Sequence, residues 1–328
     1  MGRILHLLLI SSFILLSGNL RAQQDAQFSQ YAFNKFIFNP AVAGTDEALN
    51  VTAFYRNQWA GLNGHPVTQS ISTEFPLYNI NSGVGIYFLN EGLGQERNTT
   101  FKAAFSYIAD LANGTISFGA GAGVIQKSVD GSKLTAPDGE YNDNSNPIHN
   151  DPFLPEIKVS TIIPDFTLGV YYNSRKLNMG VSANHILEPV ATLDYENFST
   201  EFEFRRHLVG HAGYEMQIND RMVLQPSVLV KSDFTNTQLD LSSVLLYNNN
   251  LWGGLSLRGY NKKSFDAVIG MVGLRVAKNL MFGYSYDFNI SALRQVNSGS
   301  HEIFINYRLG LEPVSQGKII NNPRYLFY

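Results

Sequence analysis

The stretch MFGYSYDF, Met281–Phe288, alternates strictly, with Phe282, Tyr284, Tyr286 and Phe288 on one side of an extended chain and Gly283, Ser285 and Asp287 on the other. Aromatics set against small and polar residues at a period of two describe a β-strand with one face in an apolar medium. The same period recurs almost from end to end. In Thr115–Lys127, Ile116, Phe118, Ala120, Ala122 and Val124 oppose Thr115, Ser117, Gly119, Gly121 and Gly123. In His207–Ile218, Leu208, Ala212, Tyr214, Met216 and Ile218 oppose His207, His211, Glu215 and Gln217. Near the end of the chain Ile303, Ile305, Tyr307 and Leu309 oppose Glu302, Asn306 and Arg308, and Phe304 is the exception on the polar side.

About fourteen such segments lie between residues 50 and 309, each of about 8 to 15 residues. Strands of soluble sheets average about 5–6 residues, whereas a tilted strand crossing a bilayer needs about 9–11. The connections alternate as well. Tight turns such as LANG, NSRK, NDR, NNN and AKN follow the even-numbered segments. Longer connections mostly follow the odd-numbered ones: EGLGQERN, HILEPVATLDYENFSTEF, NISALRQVNSGS and about 35 residues from Ser128 to Ile163. Segregated loop lengths mark outer-membrane barrels. In lipid only helices and closed barrels satisfy every backbone donor and acceptor, and beyond residue 22 no apolar run is long enough for a spanning helix. The expected fold is all-β: a transmembrane outer-membrane β-barrel of about 14 antiparallel strands, with short periplasmic turns and longer extracellular loops. An even strand count puts both ends of the barrel on the periplasmic side.

Arg3 and His6, an apolar run from about Leu7 to Leu16 and a small residue at Ala22 have the form of a cleaved signal peptide, since the run is too short to span a bilayer. The expected organisation is a signal peptide at 1–22, an N-terminal periplasmic or lumenal segment at 23–47, the barrel at 48–310 and a periplasmic tail at 311–328.

The chain has no cysteine, which excludes thiolate catalysis, cysteine-ligated zinc and iron–sulfur clusters. A net charge of −3 argues against nucleic acid as a partner. His207 and His211 lie about 13 Å apart on a strand, at about 3.3 Å per residue, so they read as lumenal lining rather than a metal pair. PDGEYNDNSNPIHND, Pro137–Asp151, lacks the regular calcium-loop spacing and reads as a solvated loop. GAGAG lacks the glycine spacing of a dinucleotide site, and no Gly-x-Ser-x-Gly elbow occurs. No cofactor, metal or enzymatic activity is expected.

A fourteen-stranded lumen is wider than the side-chain-filled eight-stranded kind and calls for a plug, a ligand or water. Gly119, Gly121 and Gly123 on one lumenal face either admit something that approaches closely or ease curvature of the wall. The stretch QDAQFSQYAFNKFIFNPAVAG (Gln24–Gly44) is nearly uncharged, rich in Phe, Asn and Gln, and precedes the first strand. It is suited to fold into the lumen or line the periplasmic mouth as a plug or partner-binding segment. Phe28, Tyr31, Phe33, Phe36 and Phe38 would wedge it, amides such as Gln30 would satisfy lumenal polar groups, and Asn39-Pro40 would turn the chain into the wall.

This stretch resembles the start of the PorP/SprF family of type IX secretion system membrane proteins. The pattern Gln-Asp-Pro-x-Phe-Ser-Gln-Tyr followed by Asn-Pro-Ala-x-Ala-Gly is met by Gln24, Asp25, Phe28, Ser29, Gln30, Tyr31, Asn39, Pro40, Ala41, Ala43 and Gly44, with Ala26 where proline is usual. YRNQW (Tyr55–Trp59), HEIFINYRL and PRY (Pro323–Tyr325) extend the resemblance over essentially the whole mature chain. The resemblance implies a non-enzymatic outer-membrane component of protein export. Its implied partners are the lipid bilayer, the type IX machinery and the C-terminal domain of a large secreted surface protein, such as a gliding adhesin. The alternative is a passive or substrate-specific channel for small solutes.

Overall fold

The computed structural model describes residues 25–136, 139–140, 149, 151, 154–195, 198–260 and 264–311. The expected signal peptide, most of Pro137–Asp151 and the stretch beyond Leu311 lie outside the described residues.

Strands β1 (Ala48–Asn57), β2 (Val67–Leu77), β3 (Ser82–Leu93), β4 (Glu96–Leu111), β5 (Gly114–Asp130), β6 (Lys158–Ser174) and β7 (Leu177–Asn184) form one half of the wall. A small hairpin follows, β8 (Val190–Tyr195) with β9 (Phe198–Glu203). The other half comprises β10 (His207–Tyr214), β11 (Met216–Asn219), β12 (Met222–Ser232), β13 (Thr237–Tyr247), β14 (Leu251–Tyr260), β15 (Ser264–Ala277), β16 (Leu280–Asn289) and β17 (Ser300–Gly310). Each strand pairs antiparallel with its sequence neighbour, except that β10 spans the hairpin to meet β7. β10 and β11 both pair with β12, so they share one position in the wall. The first strand closes on the last, with Ala48 opposite Gly310 and Asn57 opposite His301. The result is a closed antiparallel ring of fourteen positions. Every wall position has a hydrogen-bonded neighbour on both sides, which is the condition for crossing lipid with strands. Among the described residues no helix is long and apolar enough to cross a membrane.

The burial pattern is that of a soluble protein turned inside out. Ile71, Phe88, Phe101, Phe105, Phe118 and Leu168 are exposed on the outer surface. Ser106, Ser117, Lys127, Asp165, Asp240 and Glu302 are buried on the inner one. Along β16, Gly283, Ser285 and Asp287 are buried while Tyr284 and Phe288 are exposed, as the opening octapeptide requires.

Several connections differ from their expected form. EGLGQERN is no loop: β3 runs to Leu93 and β4 starts at Glu96, leaving a turn at Gly94-Gln95 with Gly94 at φ +58°. The segment Ser128–Ile163 likewise gives up its ends, to Asp130 of β5 and from Lys158 of β6. Charged residues such as Glu96, Arg97, Asp130 and Lys158 at these positions look loop-like in sequence. They are strand residues because the ladder continues beyond the bilayer, where a polar outer face costs nothing.

Candidate functional site

The lumen is filled by residues 25–44, which thread it from the extracellular rim to the periplasmic end before β1 begins. Asn39 starts the last turn: its side chain accepts a hydrogen bond from the Ala41 N–H at 2.9 Å, capping a short 3-10 turn at Pro40–Val42. Gly44 at φ +71° then redirects the chain toward β1. A backbone without regular partners is tolerated at membrane depth only if the wall satisfies it. Serines on inward wall positions do so. Ser182 Oγ donates to the Phe38 carbonyl at 2.8 Å, Ser117 to Ala41 at 2.5 Å and Ser106 to Ala43 at 2.7 Å.

The aromatic residues of the segment pack against one another and against the wall. Phe28 lies 5.1 Å from Phe54 and 6.0 Å from Phe38 between ring centres. Phe33 lies 4.5 Å from Trp252 and 4.9 Å from Phe304. Such pairs contribute about 0.5–1.5 kcal/mol each beyond their area burial. Phe304, the exception to the polar face of β17, is inward because it is the floor on which Phe33 stacks. Phe36 faces Tyr87 at 6.1 Å.

Wall glycines make room for the segment. A side chain at Gly119 would run into the backbone of Pro40-Ala41. At Gly121 it would meet only ordinary contact with Pro40 at 3.7 Å, and at Gly123 it would strike the neighbouring strand at Phe101 and Lys102. Of the three glycines singled out in the sequence, Gly119 is therefore the one shaped by the segment. Gly83 against Ala43, Gly85 against the Phe36 ring and Gly169 against Asn39 were not singled out and make equally close approaches. Their signal was available, since each lies at an inward position of its strand. Gly119→Leu is expected to destabilise the protein by about 3 kcal/mol, the upper end of overpacking costs, because backbone rather than a flexible side chain must yield. Gly210→Leu, at a position where an added Cβ meets nothing within 4 Å, is the control. Equal urea midpoints for the two would refute the close approach.

The strongest anchors are ionic. Arg56 of β1 reaches Asp287 at 2.7 Å and Glu302 at 3.2 Å, and Arg258 of β14 reaches Asp240 at 2.7 Å and Asp287 at 3.0 Å. All five side chains are at most 1% exposed. The segment supplies the missing donors: the N–H groups of Ser29 and Gln30 each donate to Glu302 at 2.8 Å, and Ser29 Oγ donates to Asp287 at 2.7 Å. Three carboxylates thus face two guanidinium groups, and two of them, Glu302 and Asp287, accept charge-assisted hydrogen bonds from the segment itself. Closure of the ring gathers these charges from β1, β13, β14, β16 and β17.

A second cluster lies at the extracellular end. Asp25 Oδ1 stands 2.8 Å from His185 Nε2 and 3.8 Å from His207 Nδ1, and Lys231 Nζ donates to the Ala26 carbonyl at 2.9 Å. Burial disfavours a charged His185, yet the facing carboxylates of Asp25 and Asp165 outweigh it and raise its pKa to about 9. Burial likewise works against the Asp25 carboxylate, but His207 and His185 hold its pKa well below the usual range. His207 thus belongs to an ionic cluster, whereas His211 lies against Tyr171 at 5.4 Å. Above Asp25 opens a vestibule of about 780 Å³ lined by Glu91, Glu96, Trp59, Phe202 and Arg205 among others.

The fold is that of a closed outer-membrane barrel whose lumen holds residues 25–44 of its own chain. The chain belongs to the family of the type IX secretion system membrane protein PorP/SprF, which matches residues 20–307. It is therefore an outer-membrane component of type IX secretion. No curated protein sequence matches it. Among solved structures it is similar to the CymD monoaromatic hydrocarbon channel, at 14% identity over 88% of this chain and 95% of that one, with a TM-score of 0.53. It is also similar to the Pseudomonas putida toluene transporter TodX, at 12% identity over 88% and 95% with a TM-score of 0.48. The Ralstonia pickettii toluene transporter TbuX gives 11% identity over 84% and 93%, with a TM-score of 0.47. At these identities the CymD likeness speaks for the barrel fold alone.

Proposed function

We propose that this barrel acts in type IX export as a non-enzymatic docking partner, binding the C-terminal domain of a large secreted surface protein of the adhesin or gliding class. The observation that carries the reading is the occupied lumen: residues 25–44 are pinned at both ends and at the ionic cluster, so the lumen is not a free path for solute or polypeptide. A component of an export system that does not conduct through its own lumen has its rims and loops left for recognition. The vestibule and the β8–β9 hairpin form such a surface on the extracellular side.

The test is recovery of a tagged barrel from outer membranes in mild detergent, with mass spectrometry of its companions. One large secreted protein is expected, and it should disappear when that protein's C-terminal domain is deleted. Recovery of the core secretion machinery without any exported protein would replace docking by a structural role. A barrel that emerges alone would overturn the reading.

A further inference from the structure

We infer that Asp25, His185 and His207 form a binding site for one divalent cation of the zinc class, which clips the lumenal segment to the extracellular end of the barrel wall. The three residues come from three separate parts of the chain: the start of the segment, the residue after β7 and the first residue of β10. One ligand atom from each lies within 4.8 Å of the others. His185 sits at φ +52°, a left-handed backbone position just after β7.

The surroundings are those of a ligand set rather than a chance meeting of polar groups. Asp165 Oδ2 lies 2.9 Å from His185 Nδ1, on the ring edge away from Asp25. A carboxylate behind an imidazole fixes its tautomer and presents the other nitrogen as a ligand. Asp165 is itself fully buried and held by Lys102. A second, independent observation is Asp233, which is 4% exposed. Its Oδ1 accepts from the N–H groups of Thr235 and Asn236, while its Oδ2 has no partner. Asp233 lines, with Asp25 and His207, a cavity of about 20 Å³, room for one water or ion. Lys231 borders the same cavity, but its ammonium group is committed to the Asp25 and Ala26 carbonyls. Once a cation has displaced the proton held between Asp25 and His185, Asp25, Asp165 and Asp233 outweigh Lys102 and Lys231, and the site holds the cation.

Two imidazoles and a carboxylate suit zinc and its neighbours, whereas calcium and magnesium prefer all-oxygen sets. The vestibule gives the ion an entry path and water for a remaining position. Binding replaces the proton that otherwise bridges Asp25 and His185.

The test uses the full-length barrel, refolded in detergent and stripped with chelator. Calorimetric titration with zinc chloride is expected to show one saturable site per barrel, at least tenfold tighter than for magnesium chloride. Asp25→Asn and His207→Gln should each weaken it at least tenfold, and His211→Gln should leave it unchanged. Zinc should also raise the thermal midpoint of the parent protein and of His211→Gln, but not of the other two. If one ligand variant fails to fold, the other decides. No saturable zinc binding by the parent protein, or binding retained in both folded ligand variants, overturns the site.

Discussion

Arg258→Ala is expected to cost about 3–5 kcal/mol of unfolding free energy, the range for breaking a buried ion pair by removing one partner. Arg258 is the charge partner of Asp240 and shares Asp287 with Arg56, and every one of these groups is at most 1% exposed. Without Arg258 the three carboxylates face a single guanidinium group. Asp240 would keep only its hydrogen bond from Gln238, at 2.5 Å. The penalty comes from stranded charge rather than lost contact, so the double change Arg258→Met with Asp240→Asn is expected to recover about half of it. Urea unfolding of the refolded barrel in micelles measures both. A single variant within about 1 kcal/mol of the parent would mean that the lumen is wetter than the burial implies and that the cluster does not anchor the segment.

Deleting residues 25–44 is expected to leave the barrel able to form and to turn an electrically silent protein into a conducting one. The wall's backbone hydrogen bonds run between neighbouring strands and close at β1–β17, so none of the ladder depends on the segment. What the deletion removes is the aromatic wedge of Phe28, Phe33, Phe36 and Phe38 and the cap on the ionic cluster. Water then solvates Arg56, Arg258, Asp287 and Glu302 within a lumen wide enough for ions. In planar bilayers the parent protein should show no steady current, and the deletion variant should show discrete steps. A conducting parent would favour the solute-channel alternative. A silent deletion variant that still forms a barrel would mean that some other part of the chain closes the lumen.

The alternation in MFGYSYDF and its counterparts determined the class of structure, because only a two-faced strand places Phe282 in lipid and Asp287 within. Strand lengths and tight turns set the number of wall positions, since the bilayer fixes how many residues a tilted strand must supply. The opening stretch, too, could be read as lumenal: so many aromatics and amides with so little charge are poorly suited to free solvation. The structure places Phe28, Gln30, Tyr31, Phe33, Phe36, Phe38, Asn39 and Pro40 of that stretch inside the barrel.

Tertiary structure alone decided which inward residues meet. Arg56 and Glu302 are 246 positions apart in the chain and 3.2 Å apart in the barrel, because closure brings the first strand against the last. Asp25 and His185 are 160 positions apart and meet for another reason, namely that the segment runs the full height of the lumen and begins beside the extracellular rim. Period-two patterning says which way a side chain points, but not what stands opposite it across the lumen. That depends on strand order, on register and on the path of an irregular segment with no periodicity to read. The same limit explains the glycines: alternation marks Gly83, Gly85, Gly119 and Gly169 as inward, and only the threaded backbone shows which of them a side chain would block.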